Sequence, residues 1–467
     1  MEEKRKVTET VSVDNIYRLN GRVPIAKAIP FGLQHVLAMF VSNLTPIIIV
    51  AGAANAAWPD LNLDLAMLLQ NAMFIAGLGT LIQLYPVWKI GAKLPVVMGV
   101  SFTFLASLLY VATNFGYPTM VGAIIVGGCV EGCLGLCAKY WRRFVSPIVS
   151  ACVVTTIGFS LLNVGAASFG GGHGAEDFGS VENLLLGGIT LVACILFNLF
   201  AKGFWKQLSV LFGLIVGYST ALVMGRINFE PILQAKIIDL PNFMPFVPKF
   251  NLSAIIALVV VFLVSAAETI GDTTAVCIGG LGRDITEKEV SGSLACDGFL
   301  SAVSGCFGCT PITSFSQNVG LIAMTKVVNR FTIMFGALTL ILAGLFPPIG
   351  AFFSTLPEPV LGGCTIMMFG SIVVSGMGMI ARCGFTARNT FIASLSISIG
   401  IGFTQMPDIY KNFPALMRDV FSGNPVANVF VIALILSMVI PKNQEDRDQE
   451  AKMEAQMRIA EEPAAEN

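Results

Sequence analysis

Apolar runs of about 20 residues follow one another so closely along this chain that a water-soluble core has no room for them. A membrane is the solvent they demand. They lie near 28–52, 63–86, 95–113, 118–138, 147–165, 183–201, 207–225, 251–279, 290–308, 311–325, 331–354, 358–380, 388–403 and 425–441, fourteen segments in all. Composition agrees. Of the 467 residues 55% are hydrophobic and 12% charged, about half the charged share of a soluble chain. The first 27 residues are polar and of mixed charge, with no apolar core and cleavage site, so the first apolar run is read as a retained span.

Lysine and arginine placement tests the count independently. If both termini are cytoplasmic, the loops after even-numbered segments carry the basic residues. They do: 23 of the 28 lysines and arginines fall in the N-terminal arm (1–27), the even loops or the tail (442–467). The odd loops hold Arg226, Lys236, Lys249, Lys411 and Arg418. A miscounted segment would scramble the alternation after the error.

Fourteen spans divide into seven and seven. A repeat with an odd number of spans enters the membrane from the opposite side in its second copy, so the expected fold is an all-α polytopic protein built as a 7+7 inverted repeat. Such repeats mark secondary transporters, which hold substrate near the midplane between broken helices. Segments three and ten, seven apart, are the broken ones. Segment three contains Pro95, Gly99 and the strand-like Val-Ser-Phe-Thr-Phe of 100–104. Segment ten begins GCTPITSFSQNVG, too polar to face lipid. A half-helix starting near Asn318 would aim free N–H groups at a bound molecule.

Ionisable groups inside the segments are few: His35, Glu131, Glu268, Asp272 and Asp297. Each costs roughly 2.5–3.5 kcal/mol or more at mid-bilayer if charged and unpaired, so each should face a partner or a cavity. Glu268 and Asp272 are four apart and share a helix face. Two acids so placed give at least one group able to bind and release a proton near neutral pH. Glu131, near a cytoplasmic segment end beside a basic loop, reads as structural. His35 either bridges helices or touches substrate, with Gln34 about 100° around the same helix. His173 reads as a solvated loop residue. The eleven cysteines, Cys129, Cys133, Cys137, Cys306 and Cys309 among them, read as small residues that let helices approach closely. No metal set is expected from two histidines and a lone C-x-x-C, and no H-E-x-x-H or G-x-S-x-G motif suggests an enzyme.

The residues now resemble a known family. QNVGLIAMTK (317–326) fits the signature of the nucleobase–ascorbate transporters, [Gln/Glu/Pro]-Asn-x-Gly-x-x-x-x-Thr-[Arg/Lys/Gly], at Gln317, Asn318, Gly320, Thr325 and Lys326. Gln34-His35 is similar to the family's first-segment Gln-His pair. AETIGDTTA (267–275) and ACDG (295–298) resemble its acidic motifs in segments eight and nine. The resemblance spans the chain up to about residue 441. It implies a core domain of segments 1–4 and 8–11 (28–138 and 251–354) and a gate domain of segments 5–7 and 12–14 (147–225 and 358–441). It implies short strands crossing in segments three and ten, a homodimer, and elevator-like movement of the core. Glu268 and Gln317 are expected to hydrogen-bond a base and Phe102 to stack near it. Backbone N–H groups around Ser101, Phe102 and Ser316 should complete the site beside Asn318. His35, Gln34, Asp272 and Asp297 are expected to support it or couple it to protons.

Gln317 in place of Glu resembles the xanthine and urate carriers rather than uracil permeases, and a neutral amide suits the lactam edge of an oxopurine. Ser101 stands where xanthine-selective members have Asn, which leaves urate open as a substrate. The expected activity is proton-coupled uptake of xanthine or urate, or both, across a bacterial inner membrane. No cofactor beyond the proton and no nucleic-acid partner is expected. Two rivals are another nucleobase permease of the family and an anion carrier on the same fold. Against the anion carrier stands Glu268, since a carboxylate beside a bound anion is repelled.

Overall fold

The structure is a computed structural model that describes residues 11–141, 146–172 and 174–449. Of the features read in the sequence, Lys4, Arg5, Lys6, Arg142, Arg143, His173 and the tail from 450 lie outside the described residues.

Each of the fourteen runs holds an ordered element. The helices are α1 (Ile25–Ala57), α2 (Leu65–Leu84), α3 (Leu105–Phe115), α4 (Tyr117–Leu136), α5 (Pro147–Phe169), α6 (Val181–Phe200), α7 (Ser209–Val223), α8 (Leu252–Leu281) and α9 (Glu287–Cys306). There follow α10 (Ser316–Thr325), α11 (Arg330–Gly344), α12 (Pro347–Ser354), α13 (Glu358–Cys383), α14 (Ala387–Gln405) and α15 (Pro425–Val439). Two strands, β1 (Met98–Val100) and β2 (Ile312–Ser314), lie in the third and tenth runs. They pair antiparallel, with Gly99 opposite Thr313.

Length and apolarity alone qualify seven of the described helices as membrane spans, and nine when two bent pairs are each counted once. The α11–α12 pair bends by 77° and the 415–421/α15 pair by 103°. The difference from fourteen has physical causes. Five runs fall outside the nine: the third and tenth each pair a three-residue strand with a short helix, the seventh (α7) is 15 residues long, the thirteenth (α14) is rich in serine and threonine, and the ninth remains. The ninth, α9, carries Glu287, Lys288, Glu289 and Asp297 within its 20 residues.

Side chains set the helix ends. Asp64, Asn251 and Asn329 each accept a backbone N–H of the first turn of α2, α8 and α11, satisfying groups a helix cannot pair internally. Thr286 and Glu289 form a full capping box on α9. Pro30 and Pro46 sit within α1, as membrane helices tolerate when neighbours satisfy the freed backbone.

The elements sort into two packing groups. α1 to α4 pack mainly against α8 to α12, and α5 to α7 mainly against α13 to α15. One close seam lies between α4 and α9, where backbones touch. A Cβ on Gly128 would lie 2.6 Å from the Gly298 carbonyl oxygen, and one on Gly298 would lie 2.1 Å from the Gly132 nitrogen. Glycines, not cysteines, create this approach: Cys129, Cys133 and Cys137 are on the exposed side of α4. Glu131 belongs to the same seam. It is buried five residues before the end of α4, and neither carboxyl oxygen has a hydrogen-bond partner among the described residues; the basic loop's Arg142 and Arg143 lie outside those residues.

Candidate substrate site

The site is built where the two strands cross. Gly99 makes the crossing possible, since a Cβ there would come 2.6 Å from Met39 Cε and 2.8 Å from both Asn43 Oδ1 and the Phe315 ring. Asn43 Oδ1 accepts the Val100 N–H at 2.8 Å, and the Thr80 hydroxyl accepts that of Met98 at 2.9 Å. Both strands are buried, so each ladder and side-chain bond replaces one that lipid would leave unmade.

The acids hold this crossing to the helices around it. Asp297, wholly buried on α9, accepts from the Thr269 hydroxyl, from Gln83 Nε2 at 3.2 Å and from the Ser314 N–H at 3.2 Å. Gln83 is fixed in turn, because its Oε1 accepts the Ala92 N–H at 2.9 Å. Asp272 accepts from the Ser314 and Ser316 hydroxyls, each at 2.9 Å. It thereby ties the β2–α10 junction to α8, so both its bonds serve the scaffold. Glu268, one turn earlier on α8, accepts from the Thr103 hydroxyl at 2.5 Å, next to Phe102.

The helix that follows β2 begins at Ser316, two residues before the expected Asn318. Asn318 and Val319 make the first helical bonds, to the Phe315 carbonyl. The Ser316 and Gln317 N–H groups therefore emerge from the helix end. Gln317 lies in the first turn rather than at the end of an extended piece, and its side chain is exposed. Its Oε1 accepts from the Ser42 hydroxyl at 3.2 Å.

Asn318 is turned away from that open face. It is buried and donates to the His35 carbonyl at 3.0 Å and meets His35 Nδ1 at 3.3 Å. Both residues thus support α10 against α1 rather than line its exposed side. Ser101 also differs from expectation: its N–H donates to the Pro311 carbonyl at 3.1 Å, and its hydroxyl caps the Thr103 N–H. That backbone donor is used within the fold. Gln34 is half-buried, and its side chain takes part in none of the hydrogen bonds that build the crossing.

The open face is bordered by small residues. A Cβ on Gly271 or Gly320 would meet nothing within 4 Å. The opposite wall comes from α13, where Phe369 meets Phe102 edge-on with ring centroids 5.6 Å apart and Met368 Sδ lies 3.8 Å from the Ser42 hydroxyl. The site therefore lies at the boundary between the two packing groups, as transporter sites between repeats do. Gln83, Thr103, Thr269, Ser42 and Asn43 were not read from the sequence as site residues. The signal was available, since each is a polar side chain inside an apolar run.

Residues 26–409 match the profile of a permease family. The xanthine permease XanP of Escherichia coli K12 is 32% identical over 95% of this chain and 98% of its own. The xanthine permease of Bacillus subtilis 168 is 32% identical over 88% of this chain and 93% of its own. The chain belongs to the nucleobase–ascorbate transporter family of permeases. It is a membrane permease and not an enzyme. Among solved structures, the transmembrane domain of the cyanobacterial bicarbonate transporter BicA matches at a TM-score of 0.57 with 12% identity, covering 92% of this chain and 99% of that one. Murine Slc26a9, an anion transporter, matches at 0.58 with 12% identity, covering 90% of this chain and 69% of that one. At such identity the likeness is one of fold.

Proposed function

We propose that this permease imports an oxopurine, xanthine or urate or both, together with a proton, and that it does so as a fourteen-span 7+7 homodimer in a bacterial inner membrane with both termini cytoplasmic. Segments 1–4 and 8–11 form a core that moves as an elevator against a gate of segments 5–7 and 12–14. The xanthine permeases of E. coli and B. subtilis among its relatives support the substrate class.

The observation that carries the reading is the meeting of unlike groups at one strand crossing. Glu268, held by Thr103 beside Phe102, offers a carboxylate, an acceptor. Gln317, exposed at the start of α10, offers an amide. A lactam edge of an oxopurine presents an N–H next to a C=O, the complement of that pair. The Phe102 ring supplies a flat apolar surface for the base. The fold is shared with an anion transporter, but a carboxylate at the site opposes a bound anion. A proton taken up by Glu268 removes that repulsion, so that the urate anion as well as neutral xanthine can be held there. One charge moving inward at 100 mV is worth ~2.3 kcal/mol. At ~1.4 kcal/mol per tenfold gradient, one proton per neutral base sustains an accumulation of tens-fold.

The test is uptake of radiolabelled xanthine into proteoliposomes, challenged with unlabelled urate, guanine, hypoxanthine and uracil. Xanthine or urate should compete best. Glu268→Gln should abolish accumulation driven by a pH gradient, and normal pH-driven accumulation in that variant would overturn the coupling assignment.

A further inference from the structure

Ser42 occupies an unusual position in α1. A serine within a helix ordinarily returns its hydroxyl hydrogen bond to the carbonyl one turn earlier. Thr45 does this, bonding the Val41 carbonyl at 2.8 Å. The Ser42 hydroxyl instead reaches across the molecule to Gln317 Oε1 at 3.2 Å, with Met368 Sδ at 3.8 Å on its other side. Four residues on, Pro46 has no N–H to give the Ser42 carbonyl, so the helix is opened at this turn. Ser42 is itself buried, 3% exposed, whereas Gln317 is exposed.

A hydroxyl has one hydrogen. A thioether is a weak acceptor and an amide oxygen a strong one. With the amide reversed, the hydroxyl would accept from Nε2 and its hydrogen would be left to the thioether, so the orientation with Oε1 on Ser42 is the favoured one and sets which end of the amide faces the site. With Oε1 held by Ser42, the two N–H bonds of Nε2 are left for the bound molecule. We infer that Ser42 is a positioning residue that sets the specificity of the site: it locks Gln317 as a donor, so that the site demands a carbonyl oxygen on the base next to the N–H read by Glu268. This rests on the oxopurine reading above and deepens it. The opposite amide orientation would present two acceptors, Gln317 Oε1 and Glu268, and leave a base carbonyl unpaired.

The experiment compares xanthine with 2-thioxanthine and 6-thioxanthine as inhibitors of labelled xanthine uptake, in wild type, Ser42→Ala and Ser42→Thr. Sulfur in place of a carbonyl oxygen is a weak acceptor. In wild type the thio analogue altered at the carbonyl read by Gln317 should bind more weakly than xanthine. In Ser42→Ala the amide is free to rotate. The KM for xanthine should rise roughly 2- to 12-fold, the worth of one net hydrogen bond, and the gap between xanthine and that analogue should fall to under about twofold. Ser42→Thr, which keeps the hydroxyl, should restore the gap. A role in packing alone would change uptake of all three bases together. An unchanged gap in Ser42→Ala, for both analogues, would overturn the inference. If Ser42→Ala fails to reach the membrane, Ser42→Cys, with a weaker donor, should show a partial collapse of the gap, and an undiminished gap there overturns it equally. Wild-type protein that transports no oxopurine would instead sink the substrate reading.

Discussion

Gln83 and Asp297 meet deep between α2 and α9, Nε2 to carboxylate oxygen at 3.2 Å, and neither amide end of Gln83 is spare. Flipping the amide would break its bond to the Ala92 N–H. Asp297→Asn keeps an acceptor for Thr269 and the Ser314 N–H but sets an amide nitrogen against Gln83 Nε2. Two donors then face each other in a buried site. We expect a loss of about 1–3 kcal/mol in stability, read as a lowered Tm of the detergent-solubilised protein. Adding Gln83→Glu should recover part of it, because a glutamate accepts from both the amide introduced at position 297 and the Ala92 N–H, while it gives up the Gln83 donor bonds to the Ser293 carbonyl and hydroxyl. A double variant no better than Asp297→Asn alone would show that the contact is not the coupling we describe.

Gly298→Ala tests the α4–α9 seam. Its Cβ would enter within 2.1 Å of the Gly132 nitrogen and 2.7 Å of the Glu131 carbonyl carbon. Backbone cannot step aside as a flexible side chain can. We expect a loss of about 3 kcal/mol or more, above the common range for overpacking, seen as little folded protein in size-exclusion chromatography. Gly271→Ala, which meets nothing within 4 Å, should fold normally.

Gln317→Glu keeps a group that Ser42 can bond but replaces the donor by an acceptor. Oxopurine binding should weaken at least about tenfold, ~1.4 kcal/mol, and urate, as an anion, should lose more than xanthine. Competition assays in the variant measure both. Equal affinities in variant and wild type would remove Gln317 from the reading of the base.

Outside the membrane, Arg226 donates to Asp177 at 3.0 Å and to Glu182 at 2.9 Å. The hydrogen bond from Arg226 holds the Asp177 carboxyl below its ordinary range. A depressed carboxyl lends stability above its unfolded value and loses it as pH falls through the folded one. Hydrogen-exchange protection over residues 175–183, taken relative to the intrinsic exchange rate at each pH, should therefore be unchanged from pH 8 to pH 5 and fall only in stronger acid. Arg226→Ala should lower that protection from pH 8 to pH 5 and change it little in strong acid, while leaving Tm almost unmoved, since exposed pairs are weak.

Much of this was written in the chain. Apolar run length placed an element in every expected segment, and Pro95, Gly99 and the polar start of segment ten marked the two broken ones. The acids were legible because charge in an apolar run is rare. What they bond was not. Asp272 spends both contacts on Ser314 and Ser316, and Asn318 turns inward to His35. Those facts depend on where α10 starts within two residues, which polar patterning cannot resolve. Thr103 and Gln83 were missed because uncharged polar residues are common enough in membrane helices to pass as background. Counting spans by the length of apolar helices falls short where a short strand breaks the helix, as in the third and tenth runs.

Lys326 closes α10 in the left-handed conformation, with φ of 59°, and its ammonium reaches the Gly279 carbonyl at 2.7 Å. The family signature admits Arg, Lys or Gly at this place, an odd set if charge were what mattered. The structure resolves the oddity. Gly enters a left-handed turn without strain, while a long basic side chain offsets the strain by capping the carbonyl end of α8. The last letter of the signature is therefore a statement about chain direction, namely how sharply the half-helix must turn to leave the membrane, with charge as one of two ways of meeting it.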